Sequence, residues 1–383
     1  MRHTRLAVFG IFGLHGFAFS TWAVQIPSAQ ASTGMSTAQL GTLLVVLGAA
    51  ARVGMQLSGP LVGRYGSART AVVGNAGIAG SISVPLLATN AVTLAAGLAL
   101  LGFTLGINEV AMNAQAVIVE QRYGRPIMSA FHAVYSVGNV VGAAAGATTL
   151  ALEWSPGAIA VGASGICLMT AGSAARVLWT RQTRAEESAT TSPRRSRSET
   201  PSSAQRHRRI VTLGVLAFLF LLAEGVAADW SIVHSAEHLG ISGWYAALTY
   251  ASFVVSMTFG RFVADRATAR HGPVRVVRMG CVVAAVGIAV VIGSPMLVLT
   301  IIGWGLFGLG LAGTVPQVFS AAGNTAGSTA TDLSRVVGMG YTGILAGPTI
   351  IGWLTEFVPL NATLLVPLAA VAVCLLAAGN VGR

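Results

Sequence analysis

The sequence predicts an all-α polytopic membrane protein with twelve transmembrane helices in two pseudo-symmetric six-helix bundles. Three observations predict it. The chain of 383 residues is 54% hydrophobic and only 9% charged, and its apolar runs are too long and too numerous for a soluble core. Six such runs precede a polar stretch in the middle of the chain and six follow it. All 23 Lys+Arg positions are arginines, and those flanking the runs fall in alternate connections.

Taken in order, the first run spans Leu6 to Ile26 behind Arg2, His3 and Arg5. Ala29-Gln30-Ala31 resembles a signal-peptidase site, but the run is longer than a signal core and contains His15 and Gln25, so it reads as a spanning helix. Spans 2 to 6 follow at Gln39 to Leu57, Thr70 to Ala88, Ala91 to Val119, Ile127 to Leu150 and Pro156 to Trp179. Spans 7 to 12 cover Ile210 to Ser231, Gly243 to Phe262, Val274 to Ile292, Met296 to Gln317, Val336 to Phe357 and Ala362 to Ala378. The domains expected are therefore a first bundle at 1–179, an Arg-rich linker at 180–209 and a second bundle at 210–383.

Short cytoplasmic loops collect arginine, which sets the orientation. Arg2 and Arg5, Arg64 and Arg69, Arg122 and Arg125, the group from Arg261 to Arg278, and Arg335 all lie on one side, while the opposite connections have none. Both termini are expected to be cytoplasmic, in the inner (cytoplasmic) membrane of a cell. The linker Thr180 to Arg209 holds eight arginines among many Ser and Thr and is expected to be a disordered cytoplasmic loop against anionic lipid. Topology thus accounts for the net charge of +11, and no nucleic-acid partner is expected. Cys167, Cys281 and Cys374 sit in three different apolar runs, which suits neither disulfides nor a metal cluster.

The chemistry concentrates in span 4, where Asn108-Glu109-Val110-Ala111-Met112-Asn113 interrupts an otherwise apolar segment. A charge at bilayer depth costs at least roughly 2.5 kcal/mol, so such residues face a bundle interior or a water-filled path. At about 100° per residue Glu109, Met112 and Asn113 share one face, with Asn108 to the side. Arg52 is the arginine deep inside a span. It needs an anion, and Glu109 is the expected partner. Two corners repeat each other: Gly59-Pro60-Leu61-Val62-Gly63-Arg64-Tyr65-Gly66-Ser67-Ala68-Arg69 after span 2, and Gly260-Arg261-Phe262-Val263-Ala264-Asp265-Arg266 after span 8. Asp265 there is expected to cap a neighbouring helix or pair with an arginine.

These features resemble the major facilitator superfamily over essentially the whole chain. The family's loop signature, G-x-L-x-D-R-x-G-x-x-[RK], is matched by Gly59, Leu61, Arg64, Gly66 and Arg69, with Gly63 where the family has Asp. Asp265 and Arg266 are kept in the second copy. Glu109-Val110-Ala111-Met112-Asn113 is similar to the E-x-A-x-N segment of the fucose–proton symporter branch, and this implies a place for Glu109 in a proton and sugar pathway with Asn113 beside it. That branch's carboxylate of the first helix falls here at Ala23, and its amides of the fifth helix at about His132 and Tyr135.

The superfamily resemblance also implies that spans 1, 4, 7 and 10 line a central cavity. On span 1 this points to His15 and Trp22 with Gln25 at the edge, on span 7 to Glu224, and on span 10 to Trp304. Arg64, Asp265 and Arg266 are expected to gate. Two polar stripes, His132, Tyr135 and Asn139 on span 5 and Tyr245, Thr249, Ser252 and Ser256 on span 8, read as hydrogen-bonding bridges between helices. Gly138, Gly142 and Gly146, with Gly343, Gly347 and Gly352, mark close helix contacts.

The expected function is a secondary transporter of a small, sugar-like solute, proton-coupled through Glu109, its proton affinity switched by movement of Arg52. Multidrug or metabolite efflux is the rival within transport, although span 5 lacks the Gly-Pro pair of the antiporter signature. A non-transporting membrane sensor is the rival of another class. No P-loop, Cys/His metal pattern or nucleophile–base spacing is present, so neither an enzyme nor a cofactor is expected.

Overall fold

The computed structural model describes residues 2–35, 37–189, 202–241 and 244–382. In chain order the helices are α1 (Arg2–Thr33), α2 (Thr37–Tyr65), α3 (Ser67–Ser81), α4 (Ser83–Leu86), α5 (Ala91–Tyr123), α6 (Met128–Ala151) and α7 (Pro156–Ala189). The second set is α8 (Ser203–Leu239), α9 (Trp244–His271), α10 (Pro273–Gly293), α11 (Leu297–Leu311), α12 (Thr314–Gly323), α13 (Ala330–Leu354), α14 (Leu360–Thr363) and α15 (Leu365–Ala377), closed by a 3-10 turn at Ala378–Gly382. No strand occurs among the described residues. Among the described residues, ten segments are long and apolar enough to cross a membrane. The broken span α3–α4 and the glycine-rich α6 bring the count to the twelve expected. Backbone groups in hydrocarbon have no water to bond, which is why the chain folds as long helices.

Local signals set several ends. Asn90 accepts the Thr93 N–H at 2.9 Å and starts α5, while Gly124, at φ 71°, ends it in a left-handed turn that a Cβ would strain. Ser202 and Gln205 form a capping box at the start of α8. That box corrects the expectation of a disordered linker over 180–209. Helix α7 continues to Ala189 and α8 begins at Ser203, and the remainder of the linker, 190–201, lies outside the described residues. Span 10 is one membrane-spanning segment, Leu297–Gly323, with a turn at Ala312-Gly313 that divides it into α11 and α12.

The chain forms two compact units. One gathers residues 1–124, 134–200 and 329–334, and the other 125–133, 201–328 and 335–383. Within each, the same pairs of helices pack. Helix α5 lies on α2 and α3, and α3 on α7; in the second unit α11 lies on α9 and α10, and α10 on α15.

The closest approaches use glycine. A Cβ at Gly138 on α6 would strike the Gly13 carbonyl of α1, and one at Gly142 the Phe17 carbonyl. Gly343 and Gly347 on α13 stand the same way against the Phe218 and Leu222 carbonyls of α8. Gly102 and Gly106 on α5 meet the Leu47 and Ala51 carbonyls of α2. In lipid, where apolar surface gains little by burial, such backbone-to-backbone contact is the main source of helix association. The polar stripe on α9 bridges helices as expected: Ser252 donates to the Ile301 carbonyl at 2.6 Å and Ser256 to the Gly305 carbonyl at 2.7 Å.

These seams generate a stability prediction. Gly138→Val pushes two methyls into the Gly13 backbone and should cost about 1–3 kcal/mol by overpacking. Gly162→Ala on α7, where a Cβ meets nothing within 4 Å, should be neutral or gain roughly 0.5–1 kcal/mol. Thermal unfolding of the detergent-solubilised chain checks both, and equal losses in the two variants would refute the seam.

Candidate functional site

Glu109 is buried midway along α5, and α1 brings His15 to it. The imidazole Nε2 lies 3.5 Å from the carboxylate Oε2. One turn further along α5, the Asn113 amide donates to Glu109 Oε1 at 2.9 Å and to its backbone carbonyl at 2.8 Å. On the other side of the imidazole, the Asn108 amide nitrogen is 3.0 Å from His15 Nδ1. An amide nitrogen can only donate, so Nδ1 accepts, and a neutral His15 carries its proton on Nε2, the nitrogen that faces Glu109. The Tyr135 ring lies tilted at 44° to the imidazole, with the centroids 5.8 Å apart. The carboxylate, the imidazole and the two amides are all buried. Together they make a site that can hold a proton and pass it between a carboxylate and an imidazole.

Asn108 was legible only as a residue to the side of this face. Its value depends on α3, because a Cβ at Gly74 would lie 3.1 Å from the Asn108 Cα, and that contact pins the amide beside His15. Asn75, the next residue on α3, is fully buried, and neither atom of its amide has a partner.

The expected Arg52–Glu109 ion pair is not what the structure places there. Ala51, Gly54 and Ser58 form the side of α2 that meets α5, with Ser58 donating to the Ile107 carbonyl at 2.8 Å. Arg52 is one residue, about 100°, off that side. Its Nη1 is buried with no hydrogen-bond partner, and Glu109 has His15 instead.

In the second unit Glu224 on α8 meets Arg261 on α9, Oε1 to Nη2 at 3.3 Å. Arg261 read as a loop arginine because spans were cut where hydropathy falls, whereas α9 runs on to His271 and buries it. Trp304 is fully buried on α11, edge-on to Phe307 at 5.8 Å and near His234 at 6.2 Å, and its indole Nε1 has no partner. The His234 ring, which sequence reasoning passed over as part of a loop, bonds Asn361 at 3.0 Å.

Two further candidates on α1 pack against neighbouring helices. Trp22 is 1% exposed in an apolar cluster with Leu14, Ala18, Ile82 and Leu98, because Leu14, Ala18 and Trp22 recur every four residues on the core side of α1. Gln25 reaches α6, within 3.4 Å of the Gly146 carbonyl and 3.3 Å of Thr149 Oγ1, and so bridges helices.

At the repeated corners, Asp265 does act as a cap. Its two oxygens accept the Ser129 N–H at 3.0 Å and the Ala130 N–H at 2.7 Å, the first free amides of α6. Arg64 lies exposed over the Tyr65 ring at 5.3 Å, and Arg266 is exposed.

Comparison with known proteins adds the following. Residues 8–331 match the family model described as Major Facilitator Superfamily. An uncharacterized MFS-type transporter of Yersinia pestis is 33% identical over 359 residues, 94% of this chain and 89% of that one. Among solved structures, FucP in its outward conformation superposes with a TM-score of 0.76 at 15% identity, covering 99% of this chain and 98% of that one. A second FucP structure, with the same TM-score and identity, describes it as the E. coli fucose:proton symporter. The human organic anion transporter MFSD10 gives a TM-score of 0.74 at 16% identity, covering 98% of this chain and 99% of that one. At these identities the likeness to solved structures is one of fold.

The Glu224–Arg261 contact yields a prediction. Glu224 keeps some exposure and Arg261 little, so Glu224→Gln, which takes this anion from the guanidinium, should cost about 1–3 kcal/mol, below the range for fully buried pairs. Pairing Glu224→Gln with Arg261→Met should cost less than the sum of the single changes in thermal unfolding. Strict additivity would mean that the two side chains do not interact.

Proposed function

The chain belongs to the Major Facilitator Superfamily, and from that membership we propose that it is a proton-coupled secondary active transporter of a small solute. It works by alternating access of two halves, residues 1–179 and 210–383. The observation that carries the reading is the buried His15–Glu109–Asn113 cluster, an ionisable pair sealed among apolar side chains at bilayer depth. Silent packing would need neither a carboxylate nor an imidazole there. The cluster takes a proton when it is open to one side and gives it up when open to the other. Asn113 steadies one carboxylate oxygen throughout, so that the other exchanges with His15 Nε2–H or with entering water. The solute binds beside the cluster. Asp265 gates by holding the start of α6, with Arg64 and Arg266 at the membrane surface.

The arginine distribution supports an inner (cytoplasmic) membrane location with both termini in the cytoplasm. The sugar-like solute is supported by the similarity of Glu109 to Asn113 to the fucose–proton symporter branch. A second reading, efflux of an apolar or anionic metabolite, is favoured by the buried aromatic group Phe253, Phe307 and Trp304.

Proteoliposomes with an imposed pH gradient test the coupling. Glu109→Gln should reduce gradient-driven uptake to that of empty vesicles while solute counterflow persists, because exchange at equilibrium requires no net proton movement. Retained accumulation in that variant would move the proton to Glu224 or His15. Outward flux driven by the same gradient would favour efflux.

A further inference from the structure

The carboxylates inside the spans are largely taken. Glu109 faces His15 and Asn113, Glu224 faces Arg261, and Asp265 accepts two amides at the start of α6. Arg52 is left over. It lies 13 residues, about 20 Å along α2, from the helix end at Tyr65, which is deep within a hydrocarbon layer of about 30 Å. Its Nη1 is enclosed without a hydrogen-bond partner, while the residue as a whole remains partly exposed. A guanidinium cannot escape its charge by deprotonation, so at this depth it requires an anion.

The direction in which Arg52 looks narrows what that anion is. Arg52, Met55 and Gly59 recur at i, i+3 and i+7 and share one face of α2. Met55 accepts the Ser334 hydroxyl at 2.6 Å on that face, and Gly59 sits against Thr331 and Ser334. Arg52 therefore stands on the side of α2 that receives the start of α13. Its fork of N–H donors matches the two oxygens of a carboxylate or phosphate, and an uncharged hydroxyl would leave most of it unsatisfied.

We infer that Arg52 is the receptor for an oxyanion group on the transported solute, which is therefore a small organic acid or phosphate ester and not a neutral sugar. This rests on the reading of the chain as a small-solute transporter and narrows it. The charge of the solute supplies the partner that the protein withholds, so the empty site carries an unpaired cation and the loaded site a matched pair.

The test is a thermal-shift series on the purified full chain. D-gluconate, D-galacturonate and D-glucose 6-phosphate are set against neutral D-glucose and D-galactose, in wild type, Arg52→Gln and Arg52→Lys. At least one acid should stabilise wild type while its neutral counterpart does not, and the two carboxylates against the phosphate ester separate the sources of the oxyanion. Arg52→Gln should weaken that response at least about 30-fold in concentration, as loss of one partner of an enclosed charge pair does. Arg52→Lys should keep part of it, since it retains the charge without the fork. Without solute, Arg52→Gln should be as stable as wild type or more so, because it strands nothing.

A clear loss of solute-free stability in Arg52→Gln would overturn the inference by revealing a protein counterion. Neutral sugars that shift wild type and Arg52→Gln alike, with counterflow intact, would keep the transporter and reject the anion. A chain that neither shifts with nor exchanges any of these solutes rejects both.

Discussion

A side chain carried to bilayer depth has no water to fall back on, and most of what is specific about this chain follows from how its polar groups are answered there. Glu109 would be prohibitive alone, so α1 and α5 must meet where His15 can reach it, and α5 must keep its regular turn for Asn113 to reach back. That requirement extends outward. Asn108 orients His15, and Asn108 is held by a glycine of α3, so three helices are fixed by one carboxylate. Packing supplies the precision. Because Gly102 and Gly106 let α2 touch the backbone of α5, and Gly138 lets α6 touch α1, the polar atoms are placed by rigid contacts and not by long flexible side chains.

The architecture was legible because hydropathy and arginine placement are long-range averages that survive errors at single positions. Twelve runs and two halves follow from them. Glu109 was legible for the opposite reason, as one residue of the wrong kind in an apolar stretch. What the sequence left hidden were partners. Depth along a helix placed Arg52 and Glu109 together, but depth says nothing about azimuth, and one residue of rotation turns Arg52 from the α5 contact. Arg261 was hidden by the practice of ending a span where charge begins, although a long arginine stem lets a helix continue while its head turns inward to Glu224. Trp22 and Gln25 looked like cavity residues because one face of α1 was assigned a single environment, whereas that face is divided between apolar packing and a bridge to α6.

The two corners show the same physics answered twice. Helix α6 begins after Arg125-Pro126-Ile127, which offers no capping side chain, and its first amides are satisfied by Asp265 from a distant part of the sequence. Helix α13 begins after Thr329, and there Thr329 and Asp332 bond each other's backbone: Asp332 accepts the Thr329 N–H at 3.0 Å, and Thr329 accepts the Asp332 N–H at 3.2 Å. A helix that caps itself has no need of a carboxylate from elsewhere. This accounts for Gly63, the position where the resembling family has Asp, and a Cβ there would meet nothing within 4 Å.

The consequence is an asymmetry between otherwise matching halves. The start of α6 is secured by a charge from another segment, whereas the start of α13 is secured within four residues. An external cap ties the free energy of a helix end to the position of its donor segment, and an internal one does not. Of the two corners, the one bearing Asp265 is held by charge, through a carboxylate on the first turn of α6, while the one bearing Gly63 is held by shape, through Gly59 against Thr331 and the Ser334 hydroxyl on the Met55 carbonyl.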